Sequence, residues 1–210
     1  MVFESKVFTS RWFEATPPSK KVLIVLHGRG DSLEGFLWMP QFMQLNVNYL
    51  LVNAPDNYYM GYSWYDLPPD QAPGVVRSRK LLDQLFNELE QAGYEDQDMI
   101  LFGFSQGCMM VQEWGMRSER HLAGCLGVSG SCLDPAALVK EASAAGKARP
   151  YLLTHGRYDE VVPFERTENQ VKELKLHFNI DWRTFDKDHT IDEQDEIPLF
   201  RSWLKDKFGL

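Results

Sequence analysis

The chain has 210 residues, 44% hydrophobic and 13% aromatic, enough to fill the core of one domain running over residues 1–210. A formal charge of -8 excludes a nucleic-acid partner, because such proteins concentrate Lys and Arg on one face, and favours neutral over polyanionic substrates. Cys108, Cys125 and Cys132 form an odd set without CxxC spacing, which argues against a disulfide framework or a zinc site and for a reducing compartment.

The opening Met1 to Lys6 lacks a basic segment followed by an apolar stretch of signal-peptide length, and no later apolar run matches a bilayer. A cytoplasmic protein without stable membrane insertion is the expectation, with a homodimer left open. Lys6 to Phe13 reads as an edge strand. Short runs rich in Val, Ile and Leu then alternate with segments of helical period, the signature of βαβ units and a parallel sheet. The predicted strands are Val22 to Leu26, Tyr49 to Asn53, Met99 to Phe102, Gly124 to Ser129, Tyr151 to Thr154 and Asp181 to Phe185. Predicted helices cover Glu34 to Leu45, Val75 to Ala92, Gln106 to Arg117, Pro135 to Ala144, Phe164 to Phe178 and Gln194 to Phe208. The stretch from Ala54 to Pro73, rich in proline and aromatic residues, reads as an irregular loop leaving a strand end, where ligands bind in open α/β sheets.

Met99 to Phe102 leads into Gly103-Phe104-Ser105-Gln106-Gly107 and then into a helix-compatible run. Strand, sharp turn and helix are the context that a nucleophile elbow needs, with small residues two before and two after the serine where side chains would collide with neighbouring backbone. A serine at that helix N-terminus faces backbone N–H groups suited to developing negative charge, so Ser105 is the candidate acyl-transfer nucleophile. The same pattern occurs by chance, and only its flanking strand and helix raise it above that.

Such a serine needs a histidine to take its proton and a carboxylate to orient that histidine, in the chain order Ser, acid, His. Asp159 follows the Tyr151 to Thr154 strand and is the leading acid, with Glu160 and Asp186 as alternatives. Of the histidines after it, His177 falls in a helical segment, whereas His189 lies on the loop after the last predicted strand and is assigned as base. The first confident strand ends His27-Gly28-Arg29-Gly30-Asp31, a turn that brings the Arg29 N–H beside the elbow; with the Gln106 N–H it forms the expected oxyanion hole. His27 and His155 read as neutral, hydrogen-bonded loop residues. No metal site and no cofactor are expected: Gly28-x-Gly30 is an incomplete phosphate-binding pattern and no Walker sequence is present.

With these residues placed, the chain resembles the phospholipase/carboxylesterase family of small α/β-hydrolases, which includes acyl-protein thioesterases. The likeness rests on Leu26-His27-Gly28-x-Gly30-Asp31, Trp64-Tyr65-Asp66, Gly103-Phe104-Ser105-Gln106-Gly107 and His155-Gly156-x-x-Asp159 followed by Val162-Pro163. It implies the α/β-hydrolase fold without a separate cap domain, a triad of Ser105, Asp159 and His189, and oxyanion donors from Arg29 and Gln106. One departure is Asp188, where the family usually has glycine before the histidine. The implied substrates are small-molecule or lipid esters and thioesters, with short- to medium-chain acyl esters as the first expectation and thioesterase or lysophospholipase activity as the alternative.

Leu33, Trp64 and Tyr65, with Phe36, Trp38, Tyr58, Tyr59, Met60 and Tyr62, are candidate pocket-lining residues, though ordinary core packing explains such residues equally well. A catalytically silent, hydrolase-like binding protein is the rival reading from another class. A cysteine-dependent hydrolase would require Cys108, which stands inside the predicted helix as a packing residue.

Overall fold

The computed structural model describes residues 3–210. Its strands are β1 (Ser10–Phe13), β2 (Val22–Leu26), β3 (Asn48–Val52), β4 (Asp56–Tyr58), β5 (Gly61–Ser63), β6 (Met99–Phe104), β7 (Gly124–Val128), β8 (Tyr151–Gly156) and β9 (Ile180–Phe185). The helices are α1 (Met39–Met43), α2 (Gln71–Gln91), α3 (Gln106–Gly115), α4 (Pro135–Glu141), α5 (Ala144–Ala148), α6 (Phe164–Leu174) and α7 (Glu196–Phe208), with a 3-10 turn at Leu33–Phe36. Seven strands form one sheet in the order β1-β3-β2-β6-β7-β8-β9, parallel except for the antiparallel edge strand β1.

The apolar runs of β2 and β7 need cover on both faces, which a parallel sheet with crossover helices provides. One face packs against α2, α3 and α6 through Leu82, Leu85, Phe86, Trp114, Val171 and Leu174. The indole of Trp114 stacks on Phe86 at 4.4 Å between centroids. The other face is closed by α1 and α7, with Met39, Met43, Phe200 and Leu204 against Leu23, Val25, Phe102 and Leu126.

Strand β2 pairs with β3 on one side and with β6 on the other, so the chain reverses its direction of winding between them. At such a switch point the connections after the two strands diverge to opposite faces and leave a crevice at their carboxyl ends. The residues that emerge there are His27 to Asp31 and Ser105.

Several boundaries differ from the sequence reading. The edge strand is only Ser10–Phe13, because the chain before it is drawn toward α2, with the Lys6 N–H 3.0 Å from Glu88 Oε1 and the Ser5 Oγ 2.7 Å from Oε2. Helix α2 begins at Gln71, since Pro73 lies in the first turn, where no intrahelical acceptor is needed. The helix expected over Pro135 to Ala144 is two helices, for Ala142 is extended and the Ser143 side chain caps α5 through the Gly146 N–H. The expected helix over Glu34 to Leu45 is likewise a 3-10 turn followed by α1. Helix α6 ends at Leu174, so His177 lies beyond it, and α7 opens at Glu196 after a turn held by the Asp192 carboxylate.

Candidate active site

Ser105 sits between β6 and α3 with φ 55 and ψ -113, a conformation that a side-chain-bearing residue adopts only when its surroundings impose it. The surroundings are two close backbone approaches. A Cβ on Gly103 would lie 2.2 Å from the Gly107 carbonyl oxygen, and one on Gly107 would lie 2.3 Å from that of Leu26. Glycine at both positions is therefore what allows the sharp turn. The Ser105 N–H is taken by the Val128 carbonyl at 2.9 Å, so the next N–H, that of Gln106, is the one the elbow can offer to a ligand. As the first residue of α3, Gln106 has no intrahelical acceptor for it.

The Ser105 Oγ lies 2.9 Å from His189 Nε2, and His189 Nδ1 lies 2.7 Å from Asp159 Oδ2. This continuous chain joins the ends of β6, β8 and β9. The Asp159 side chain is fully buried, and its Oδ1 accepts from the N–H groups of Val161 at 3.0 Å and Val162 at 2.8 Å. His155 Nε2 donates to the Val162 carbonyl at 2.8 Å and lies 3.3 Å from Asp159 Oδ2. Burial pushes the pKa of His155 down, so this ring is the neutral Nε2–H form and steadies both the carboxylate and its loop. Its Nδ1 has no hydrogen-bond partner among the described residues.

The loop from His27 to Asp31 is built on a hairpin. Strands β4 and β5 pair antiparallel within the stretch expected to be irregular, and Gly30 donates to Tyr62 while Tyr62 donates to Asp31, each at 2.8 Å. Gly30 has φ 80, and a Cβ on Gly61 would lie 2.3 Å from the Gly30 oxygen, so loop and hairpin meet backbone to backbone. His27 Nε2 accepts from the Ala54 N–H, Nδ1 donates to the Gly28 carbonyl, and burial lowers the pKa of this ring also. The Gln106 side chain closes the assembly by accepting from the Trp64 N–H and donating to the Tyr65 carbonyl. Arg29, Gln106, Ser105, His189 and Tyr65 all line one cleft of about 540 Å³.

A sequence profile described as phospholipase/carboxylesterase matches residues 12–197. The chain belongs to the phospholipase/carboxylesterase family. It is similar to acyl-protein thioesterase 1 of Yarrowia lipolytica, 27% identical with 88% of this chain and 90% of that protein covered. Acyl-protein thioesterase 1 of Schizosaccharomyces pombe is 26% identical, with 85% and 88% covered. Among solved structures, esterase PE8 has a TM-score of 0.84 at 27% identity, covering 95% of this chain and 98% of that one. Acyl-protein thioesterase 2 of Zea mays shares the fold, with a TM-score of 0.79 at 21% identity and coverage of 96% and 100%.

Within this family member, the alternative acids face solvent: Glu160 is exposed and Asp186 pairs with Arg157 at 2.5 Å on the surface. Asp188 is exposed. Two expected pocket residues are core instead. Leu33 is buried with its N–H on the Asn53 side chain, and Trp64 is wholly enclosed with its indole N–H on the His27 carbonyl. Only Tyr65 of the three reaches the cleft. Tyr59 and Met60, at the hairpin tip, are almost fully exposed. Cys108 packs inside α3, and burial pushes its thiol up to about 12, which removes it as a nucleophile.

Sequence reasoning missed the buried pair Lys187–Glu196, at 2.5 Å, behind the histidine loop. Lys187 also donates to the Thr190 carbonyl, one residue past His189. A lysine within a run of charged loop residues reads as a solvated surface group, and nothing in its spacing signals burial.

Proposed function

We propose that the chain is a serine esterase in which Ser105 is the nucleophile, His189 the general base and acid, and Asp159 the group that orients His189. The hydrogen-bond chain from Asp159 through His189 to Ser105 is the observation that carries this reading. His189 Nε2 takes the Ser105 proton as Oγ attacks the ester carbonyl, and the oxyanion forms toward the N–H groups of Arg29 and Gln106. Collapse releases the alcohol, protonated by His189, and leaves an acyl-enzyme that water cleaves by the same steps in reverse. The Asp159 carboxylate keeps the proton on Nδ1 and stabilises the imidazolium in each transition state.

The substrates are small-molecule or lipid esters of short- to medium-chain acids. The alternative is acyl-thioester cleavage, which the likeness to proteins named acyl-protein thioesterase 1 favours. The intact hydrogen-bond chain favours either over a silent binding role. A cytoplasmic location goes with this reading, since all three cysteines are free and buried; among the described residues no helix is long and apolar enough to cross a membrane. The test is a series of oxygen esters and thioesters of graded acyl length, assayed with the parent and with Ser105→Ala. Hydrolysis that falls by at least about a thousandfold in the variant is expected; equal rates would overturn the assignment.

A further inference from the structure

A second cavity, of about 430 Å³, adjoins the cleft at Phe104. Its apolar wall comes from Phe36, Trp38, Phe42, Phe104, Ile191 and Ile197. It shares Asp31, Phe104 and His189 with the cleft, but neither Ser105 nor either backbone donor, Arg29 or Gln106, lines it. We propose that this side cavity is the leaving-group subsite and receives the alcohol of a neutral ester, preferably an aromatic or branched one.

The inference rests on the esterase reading and follows from the order of bond changes. Attack forms the Oγ–C bond, and collapse breaks the bond between the carbonyl carbon and the alcohol oxygen. That oxygen receives its proton from His189 Nε2, so in the transition state it faces the imidazole. The carbonyl carbon and oxyanion must stay with Ser105 and the two donors, within the cleft. A cavity that touches His189 and none of these three groups is placed to hold the carbon skeleton attached to the leaving oxygen. The acyl chain stays in the cleft, against Tyr65, Leu67 and Met109.

The wall chemistry selects among alcohols. Trp38 and Phe42 meet edge to face at 5.6 Å, and Phe36 lies 6.1 Å from Trp38, an arrangement that accepts another ring. Asp31 and Glu193 are the carboxylates on its wall, and among the described residues that line it none is lysine or arginine. Anionic leaving groups such as phosphate-bearing alcohols are therefore repelled, whereas neutral rings are not.

Two ratios test this. The first is kcat/KM for benzyl acetate over methyl acetate, which reads the alcohol side. The second is methyl octanoate over methyl acetate, which reads the acyl side. Ile191→Trp, which fills the cavity, is expected to lower the first ratio about tenfold and to move the second less than about twofold. Phe42→Ala, which enlarges it, is expected to raise the relative rate for a naphthylmethyl ester, so the claim does not depend on one variant folding. An alcohol ratio unmoved in both variants, or an acyl ratio that moves in its place, overturns the subsite while leaving the esterase reading intact. A parent enzyme that cleaves none of these esters overturns both.

Discussion

Replacing Lys187 by Met tests how the histidine loop is held. The Lys187 ammonium is buried, contacts Glu196 at 2.5 Å and donates to the Thr190 carbonyl, and the Glu196 side chain is fully enclosed. Once the lysine is gone, the carboxylate keeps only the Asp192 N–H, at 2.8 Å, and its Oε1 already has no partner among the described residues. Breaking one side of such a pair costs about 3–5 kcal/mol, because an uncompensated charge stays buried. Removing both charges, as in Lys187→Met with Glu196→Leu, should bring stability back to within about 2 kcal/mol of the parent. Activity should behave differently. Thr190 loses its tether in both variants, so His189 drifts and kcat falls about ten- to a hundredfold in each. Urea unfolding of the parent, both single variants and the double variant, together with ester kinetics, gives both quantities. A cost below about 1 kcal/mol for Lys187→Met, or a double variant as unstable as the sum of the singles, would refute the reasoning.

Asp159→Asn should retain the fold and lower kcat about a thousand- to ten-thousandfold, measured on a short-chain ester, because the amide can no longer fix the histidine tautomer. Gln106→Ala leaves the buried Trp64 N–H without its partner, while the Tyr65 carbonyl keeps the Ser63 hydroxyl, and should cost about 1–3 kcal/mol, read as a shift in the urea midpoint. Burial lowers the pKa of His27 and of His155 below 6.5, so unfolding lets both rings take up protons. Their contribution is complete above pH 6.5 and is lost as pH falls below it, by up to about 1.4 kcal/mol per pH unit for each ring until its folded pKa is reached. Urea titrations between pH about 5.5 and 7.5 should show a shallower slope in His155→Gln than in the parent; equal slopes would count against the neutral ring.

The parallel sheet and the three residues of the hydrogen-bond chain were legible because their signals are local. Apolar runs such as Val22 to Leu26 have the length and composition of a strand buried on both faces, and Gly103 and Gly107 flank Ser105 at the spacing a tight turn requires. Pocket walls were harder to read. Trp64 and Tyr59 are both aromatic residues on the same stretch, yet one is wholly enclosed and the other almost fully exposed, since the β4–β5 hairpin turns one end toward Gln106 and the other toward solvent. Alternation over three-residue strands is too short to reveal that hairpin. Lys187 and Glu196 were invisible for a related reason: a buried ion pair depends on what α7 brings opposite the loop, and no spacing rule encodes it.

The central claim, that Ser105 is an activated nucleophile, is tested most directly by reaction with a fluorophosphonate, which phosphonylates a serine oxygen only where a base takes its proton. Peptide mass spectrometry should find the adduct on Ser105 in the parent and none in Ser105→Ala, with labelling slowed strongly in Asp159→Asn. A parent that stays unlabelled, or that carries the adduct on another residue, would contradict the account.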